Sequence, residues 1–212
     1  MELKSIAVFC GSGSGKDPVY QEKAYALGRT LAERNIRLVY GGSNIGLMKS
    51  VADGALEKGG KVVGVLPRFL QRRELAHSCL TELIYVDTMH ERKYRMNFLS
   101  DGVIALPGGY GTLEEFFEML TWAQLGLHKK PVAILNIGGF YDPLLQMVRK
   151  MVEEGFLKEV NEKMLLVSDD MDQLLEMMET YQPPEGKWIS TDPNATLTSP
   201  REHNTNFPPA EE

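Results

Sequence analysis

A strand-like apolar run that leads into closely spaced glycines has the residue types of an anion-binding site. Residues 103–115 read Val-Ile-Ala-Leu-Pro-Gly-Gly-Tyr-Gly-Thr-Leu-Glu-Glu. Glycine lets the backbone approach a ligand closely, and the first amides of a helix that begins near Thr112 have no partner within that helix. Because such amides attract negative charge, Gly108, Gly109 and Gly111 predict a site for the phosphate group of a small molecule.

The end of this segment also fits a purely structural explanation. Thr112 and Glu115 have the Ser/Thr-x-x-Glu spacing of a capping box, in which the two side chains satisfy each other's backbone amides at the start of a helix. From the spacing alone, a phosphate site and a helix cap both remain open.

Two further glycine-rich segments, residues 11–15 and 41–46, also follow apolar runs. The first continues to Lys16, but a phosphate-binding loop of the nucleoside-triphosphatase type needs glycine where Cys10 stands and Ser or Thr where Asp17 stands. Lys16 also occupies the position of the last glycine in the G-x-G-x-x-G pattern of dinucleotide-binding loops. We therefore interpret this segment as a strand-to-helix turn, and expect all three glycine-rich loops to line one pocket.

The elements that must position these loops alternate along the chain, as in βαβ units around a parallel sheet. We predict strands at residues 5–10, 37–40, 62–66, 83–86, 102–106, 132–135 and 165–167. We predict helices at residues 19–35, 46–58, 89–100, 113–125, 141–154 and 171–181. This pattern indicates an α/β, Rossmann-like, doubly wound parallel sheet of about seven strands with helices on both faces. In such folds ligands bind at the carboxyl ends of the strands, near the topological switch point.

Length and composition indicate one domain followed by a tail. The chain has 212 residues, of which 43% are hydrophobic, enough to bury one full core. We assign residues 1–181 to a single nucleotide-binding catalytic domain of Rossmann-like type. Residues 182–212 contain six of the eleven prolines among polar residues, so we expect an extended or disordered tail.

Charge and side-chain chemistry argue against several functional classes. The formal net charge of −6 disfavours a nucleic-acid binder that relies on a basic face. Cys10 and Cys79 are far apart, which indicates neither a disulfide framework nor a zinc site and fits a reduced cytoplasm. No run is long enough for a membrane span. No metal-ligand spacing is found among the four histidines, His77, His90, His128 and His203.

Basic residues cluster at 68–73 and 92–95, which suits a small anionic ligand better than a polymer. The ordinary alternative is a solvated helix face. For Arg92 and Lys93, that alternative is an exposed helix start in which Glu91 and Arg95 form an i,i+4 pair of little energetic weight.

Three segments together resemble the Lonely Guy (LOG) family of nucleoside 5′-monophosphate phosphoribohydrolases. They are Met89-His-Glu-Arg-Lys93, Pro107-Gly-Gly-Tyr-Gly-Thr-Leu-Glu-Glu115 and Thr121-Trp-Ala-Gln-Leu-Gly126. The resemblance runs from about residue 6 to residue 181. Proteins of this type have often been labelled lysine decarboxylases, but no lysine here lies in a recognisable pyridoxal-phosphate context.

The resemblance implies hydrolysis of the N-glycosidic bond of a purine nucleoside 5′-monophosphate, releasing free base and ribose 5-phosphate. Cytokinin riboside monophosphates and AMP are the implied substrates, so that AMP nucleosidase activity is expected, without a metal ion or organic cofactor. The implied catalytic pair is Arg92 and Glu115. A homodimer is also implied, with the helix that carries Phe116 and Met119 at or near the contact. The implied substrate-binding residues are Glu74, Lys93, Gly108, Gly109, Tyr110, Gly111, Thr112, Leu113, Glu114 and Thr121.

The chemistry accounts for these residue types. Breaking a ribosyl C–N bond passes through an oxocarbenium-like state, so a carboxylate near the anomeric carbon stabilises positive charge and orients or deprotonates water. Glu115 is the candidate, and in the first turn of a helix its charge would be stabilised by the helix dipole. Arg92 offers an always-charged fork that can hold phosphate or ribose oxygens and position Glu115.

Two alternatives remain beside this hypothesis. Related Rossmann-like proteins carry phosphorylated ligands such as molybdenum cofactor, and the same glycine loop would serve a non-catalytic carrier or sensor. In addition, the residues after Glu74 read Leu-Ala-His-Ser-Cys79, where plant members of the family carry a Thr-Gly-Glu pattern. Contacts around the base can therefore differ, which leaves the choice between a cytokinin and plain adenine open.

Overall fold

The computed structural model describes residues 2–70 and 76–184. Its strands are β1 (Ser5–Phe9), β2 (Arg37–Tyr40), β3 (Val62–Pro67), β4 (Glu82–Val86), β5 (Gly102–Ala105), β6 (Val132–Leu135) and β7 (Leu165–Ser168). Its helices are α1 (Val19–Glu33), α2 (Gly46–Glu57), α3 (Met89–Phe98), α4 (Tyr110–Gln124), α5 (Asp142–Glu153), α6 (Glu159–Glu162) and α7 (Met171–Thr180). Glu74 and all but the first three residues of the expected tail lie outside the described residues.

The seven strands form one parallel sheet in the order β4-β3-β2-β1-β5-β6-β7. The predicted doubly wound α/β fold is thereby confirmed. The chain runs outward from β1 to β4, then returns to pair β5 with β1 on the other side. The strand order therefore reverses between β1 and β5, and the loops that follow these two strands flank the switch point, where a ligand is expected.

Helices cover both faces of the sheet because side chains alternate along each buried strand. In β1, Ile6 and Val8 belong to a core shared with α1, α2 and α7. Ala7 and Phe9 point to the opposite core, which is shared with α3 and α4. Within the described ranges, no helix is long and apolar enough to cross a membrane.

The six predicted helices each end one or two residues earlier than predicted, and the largest difference lies at the start of α4. Helix α4 begins at Tyr110, three residues before the predicted start, because Gly109 takes the extended conformation of an N-cap residue and the chain becomes helical immediately after it. The four-residue helix α6 was not predicted, since so short a segment has no apolar periodicity to detect.

His128, in the turn between α4 and β6, has a partly buried imidazole held in its neutral form. Its Nε2 lies 2.9 Å from the carbonyl oxygen of Met119, and its Nδ1 accepts a hydrogen bond of 3.2 Å from the amide of Lys130. Only the neutral ring with the proton on Nε2 satisfies both contacts. Burial, followed by the charge of Lys130, lowers the pKa of His128 to about 4.

We predict that His128 makes the fold less stable in mild acid. The folded-state pKa lies below the ordinary value of 6.5, so the unfolded chain binds more protons between these values. Stability is therefore lost as the pH falls from about 6.5 towards 4, by at most about 1.4 kcal/mol per pH unit. Urea unfolding of the wild type and His128→Gln across this range measures the effect. Parallel pH profiles of the two proteins would contradict it.

Candidate active site

The three glycine-rich loops meet at the carboxyl ends of the strands, as the sequence predicted. The amide of Gly11, after β1, donates to the carbonyl of Pro107, after β5, at 3.0 Å. The amide of Leu47, at the start of α2, donates to the carbonyl of Gly11 at 3.1 Å. A cavity of about 240 Å³ opens above these contacts and is walled by the loops after β1, β2 and β5, by α3 and by the start of α4. Among its lining residues are six that the sequence singled out, Arg92, Gly109, Tyr110, Gly111, Thr112 and Glu115.

A buried ion pair between Arg92 and Glu115 forms one wall of this cavity. The guanidinium Nη1 of Arg92 lies 3.1 Å from Oε1 of Glu115, and only 8% of either side chain is exposed. The Nε of Arg92 donates to the carbonyl of Val65 in β3 at 3.1 Å. A bond at each end of the planar guanidinium fixes its orientation. The pair therefore presents a charged, rigid edge to whatever occupies the cavity.

Gly41, directly after β2, makes the space that Arg92 occupies. A Cβ atom on Gly41 would lie 2.0 Å from Nη2 of Arg92 and 2.7 Å from the sulfur of Met48. Any side chain at position 41 would therefore push the guanidinium away. The sequence placed Gly41 in a glycine-rich loop but gave no sign of this role, which depends on a contact between residues far apart in the chain.

The backbone at the start of α4 has the geometry that an anion site requires. Gly109 caps the helix without a side-chain hydrogen bond, and the first intrahelical bond runs from the amide of Leu113 to the carbonyl of Gly109. The preceding amides have no partner within the helix. Cβ atoms on Gly109 or Gly111 would meet nothing within 4 Å, so the backbone here borders open space. Thr112 is buried above Gly108, whose Cβ would lie 2.1 Å from the threonine hydroxyl.

The capping-box explanation of Thr112 and Glu115 is wrong. Thr112 is the third residue of α4 and Glu115 lies in its second turn, while the N-cap is Gly109. For the same reason the expected position of Glu115 in the first turn is wrong. The Arg92 guanidinium, and not the start of the helix, provides the positive charge that pairs with its carboxylate. A capping interaction does occur before α3, where Thr88 accepts from the amide of Glu91 and Glu91 accepts from the amide of Asp87.

Lys93 lies beside Arg92 on α3 but reaches a different face of α4. Its ammonium pairs with Glu114 and lies 3.1 Å from Oε2 of Glu118, and only 3% of its side chain is exposed. Burial disfavours the charged form, but hydrogen bonds to the two carboxylates outweigh it and raise the pKa of Lys93. The solvated helix start considered above is therefore excluded for both basic residues.

The remaining residues suggested by the resemblance are spread over α4. Leu113 is half-buried and packs against the core, and Glu114 is exposed on the side that pairs with Lys93. Thr121 is exposed and borders a separate apolar groove of about 180 Å³ between α4 and α5. These three residues and Lys93 do not line the described cavity, and their contact with substrate stays a prediction.

Cys10, at the end of β1, lines the cavity although the sequence gave it no role there. Burial, followed by the negative charge of Glu115, raises the pKa of Cys10 far above its ordinary value. A thiol held protonated in this way is a poor nucleophile. We therefore assign Cys10 a packing role in the wall.

The described residues provide no evident place for a bound metal ion. Within residues 2–70 and 76–184, no group of three or more His, Cys, Asp or Glu side chains is arranged to hold a metal. In the same ranges no lysine lines the cavity, so an amine suited to a Schiff base does not reach it.

Comparison with known proteins identifies the family. A family model described as "possible lysine decarboxylase" matches residues 48–178. The Arabidopsis thaliana cytokinin riboside 5′-monophosphate phosphoribohydrolase LOG7 is 47% identical over 181 residues, covering 85% of this chain and 83% of the relative. A probable cytokinin riboside 5′-monophosphate phosphoribohydrolase of Oryza sativa, LOGL2, is 45% identical, covering 89% of this chain and 77% of the relative. The chain belongs to the LOG family.

A solved structure of a different protein shares the fold of this chain. The molybdenum cofactor binding protein of Rippkaea orientalis superposes on this LOG-family chain with a TM-score of 0.64. The match covers 84% of this chain and 97% of that protein at 24% sequence identity. At such an identity the likeness establishes a shared fold and nothing about the ligand.

We predict that Gly41→Ala weakens ligand binding through Arg92. The new methyl group displaces the guanidinium, because the end of a flexible side chain yields more easily than the backbone around it. Losing its charge-assisted hydrogen bonds should raise the dissociation constant for AMP about tenfold or more. Isothermal titration calorimetry measures this constant.

A double-mutant cycle gives the control for Gly41. In an Arg92→Ala background the closer clash, with Nη2, is absent and only the flexible end of Met48 has to shift, so adding Gly41→Ala should change AMP affinity little further. Arg95→Ala, an exposed arginine on the same helix, should leave the affinity unchanged. Additive losses from Gly41→Ala and Arg92→Ala would show that the two residues act independently.

Proposed function

We propose that this protein is a nucleoside 5′-monophosphate phosphoribohydrolase that cleaves the N-glycosidic bond of a purine nucleotide. The observation that carries the proposal is the buried Arg92–Glu115 pair, which forms one wall of a glycine-lined cavity at the topological switch point. The names of the relatives at 45–47% identity, all cytokinin riboside 5′-monophosphate phosphoribohydrolases, support it.

In this proposal backbone amides and the Arg92 side chain hold the phosphate and ribose of the nucleotide. The amides at the start of α4 that have no partner within the helix donate hydrogen bonds to the 5′-phosphate, as helix N-termini do for anions. Arg92 has its Nε on the Val65 carbonyl and its Nη1 on Glu115, so its guanidinium edge is fixed where it can hold phosphate or ribose oxygens. The anomeric carbon would then lie near the Glu115 carboxylate.

Glu115 acts on the reacting carbon. As the C1′–N bond breaks, the bonding electrons leave with the base and positive charge develops on the ribose. The Glu115 carboxylate stabilises that charge and removes a proton from an attacking water, whose oxygen bonds to C1′. The departing base takes up one proton. In the overall reaction, water therefore supplies the hydroxyl group on C1′ of ribose 5-phosphate and the proton on the free base.

The rival function, a non-catalytic carrier of a phosphorylated ligand, has weaker support. It rests on fold likeness at 24% identity. A carrier needs the glycine amides but has no evident use for a carboxylate buried beside the anion cradle, where Glu115 stands with 8% of its side chain exposed. We therefore favour the enzyme.

Both AMP and cytokinin riboside 5′-monophosphates are proposed as substrates. Hydrolysis of AMP would make the protein an AMP nucleosidase as well. The names of the relatives favour cytokinin riboside 5′-monophosphates. The described cavity wall contains glycine backbone together with polar side chains, among them Ser12, Arg92 and Thr112. Hydrogen-bonding groups around the base would discriminate strongly between nucleotides and an apolar surround only weakly, so the two nucleotides have to be compared directly.

We also propose that the protein is a homodimer and that it works in the cytoplasm. Cys79 is an exposed free thiol, which suits a reducing cytoplasm. Phe98, Leu125 and Leu127, at the ends of α3 and α4, are 67%, 51% and 44% exposed, and such apolar side chains suit a homodimer contact near α4.

We predict that Phe98→Glu disrupts the proposed homodimer. A charge placed in an apolar contact has to be desolvated, so the dimer should dissociate at micromolar concentrations. Sedimentation velocity of wild type and variant measures the mass. A monomeric wild type would remove the dimer from the proposal without affecting the chemistry.

We predict that Glu115→Gln keeps nucleotide affinity largely intact but lowers turnover at least about a hundredfold, about 3 kcal/mol in barrier. Glutamine keeps the size of the side chain but neither stabilises the ribosyl cation nor accepts a proton from water. Glu153→Gln, on an exposed part of α5, is the matched control and should turn over normally.

The assay incubates each protein with AMP and with isopentenyladenosine monophosphate and quantifies the released base by chromatography. Release by the wild type but not by Glu115→Gln supports the hydrolase. Binding of either nucleotide without any release by the wild type would favour the carrier instead.

A further inference from the structure

A buried tyrosine hydroxyl contacts the backbone between β5 and α4. The hydroxyl of Tyr141 donates a hydrogen bond of 2.6 Å to the carbonyl oxygen of Leu106, the first residue after β5. Tyr141 is 2% exposed and belongs to the core on the α3 and α4 side of the sheet. Burial raises the pKa of Tyr141, so the hydroxyl stays protonated and remains a donor. Tyr141 does not line the described cavity, so any effect on a ligand has to pass through Leu106.

The Leu106 carbonyl needs this donor because the ladder between β1 and β5 shifts by one residue at this point. The amide of Leu106 donates to the carbonyl of Phe9 at 2.9 Å. A regular parallel ladder would continue with the amide of Gly11 donating to the carbonyl of Leu106. The Gly11 amide donates instead to the carbonyl of Pro107, one residue further along. The buried Leu106 carbonyl is thereby released from the ladder, and the Tyr141 hydroxyl satisfies it.

Three contacts in the segment after β6 hold Tyr141 in place. Its amide donates to Oδ1 of Asn136 at 2.8 Å, and Nδ2 of Asn136 donates to Oδ1 of Asp142 at 2.7 Å. Its ring packs edge-on against the ring of Phe140, with 4.9 Å between the two centroids. The backbone and the ring of Tyr141 are therefore both fixed, so its hydroxyl is held at the Leu106 carbonyl.

The consecutive carbonyls of Leu106 and Pro107 fix the direction of the chain as it enters α4. One accepts from Tyr141, after β6, and the other accepts from Gly11, after β1. The N-cap of α4, Gly109, follows Pro107 by two residues, so the amides proposed to hold phosphate begin directly after this anchored pair. Amides that already point to a common centre bind an anion without first having to be ordered.

We propose that Tyr141 is a positioning residue for the phosphate of the substrate, and that its hydroxyl orients the amides at the start of α4 by holding the Leu106 carbonyl. This inference rests on the proposed phosphate site at the start of α4. Without the hydroxyl, the buried Leu106 carbonyl would turn towards another donor, and the backbone of Gly108 and Gly109 would turn with it. Binding of the phosphate should then weaken more than binding of the base, because only the phosphate depends on these amides.

The test compares Tyr141→Phe with Tyr25→Phe. Each change removes one tyrosine hydroxyl that donates a hydrogen bond of 2.6 Å, and for Tyr25 the acceptor is Glu57, on the surface formed by α1 and α2. Neither Tyr25 nor Glu57 lines the described cavity, so Tyr25→Phe is the matched control. Calorimetric titration with ribose 5-phosphate measures binding through the phosphate, and titration with adenine, which carries no phosphate, provides the reference.

Tyr141→Phe should raise the dissociation constant of ribose 5-phosphate about fivefold or more, while that of adenine changes less than about twofold. Tyr25→Phe should leave both constants unchanged. If Tyr141→Phe is less stable in urea but binds ribose 5-phosphate as tightly as the wild type, the hydroxyl only supports packing and the inference is overturned. An equal loss of affinity for both ligands would overturn it as well.

Amide hydrogen exchange of the ligand-free proteins tests the same backbone directly. Residues 108–113 should exchange about fivefold or more faster in Tyr141→Phe than in Tyr25→Phe, and equal rates would contradict the inference. If Tyr141→Phe does not fold, Asn136→Ala takes its place. That variant keeps the hydroxyl but frees the backbone of Tyr141, and unaltered affinity for ribose 5-phosphate would count against the proposal.

The behaviour of the wild type separates this inference from the proposed function. A wild type that binds ribose 5-phosphate but releases no base from either nucleotide would end the hydrolase proposal and leave the comparison of variants valid. A wild type that binds no ribose 5-phosphate would remove the phosphate site, and the inference with it.

Discussion

The arrangement of the site depends on the cost of burying charge. Arg92 and Glu115 are almost fully removed from water, and each would be strongly destabilising without the other. Several features serve to keep them together. Gly41 leaves room for the guanidinium, the Val65 carbonyl accepts its Nε, and the strand order brings α3 and α4 to the same face of the sheet. These contacts hold the pair in one orientation.

Much of the fold could be predicted from sequence because its signals are local. Strands β2 and β6 have the predicted bounds, since short β-branched and aromatic runs between polar or glycine residues leave little choice of register. The convergence of the loops at residues 11–15, 41–46 and 107–112 followed from topology, because carboxyl ends of parallel strands meet at one edge. The glycines at the start of α4 could be read directly from the sequence.

The parts that could not be predicted depend on which way a side chain points. Arg92 and Lys93 are neighbours of the same charge in sequence, but one faces the cavity and the other faces away from it. Thr112 and Glu115 fit a capping spacing, but the helix starts earlier because Gly109 already has the N-cap conformation. The role of Gly41 lies in the space it leaves for a residue 51 positions later, and no periodicity records such a contact.

The tight packing at two glycines of the cavity wall has a consequence for evolution. A side chain at Gly41 would collide with Arg92 and Met48, and one at Gly11 would crowd the backbone of Gly13 and Gly108. These two positions tolerate little change. Tyr110, by contrast, is 95% exposed at the mouth of the cavity, where a side chain can change without disturbing this packing. A change in what the pocket admits is therefore easier to reach through residues at its mouth than through the glycines beneath it.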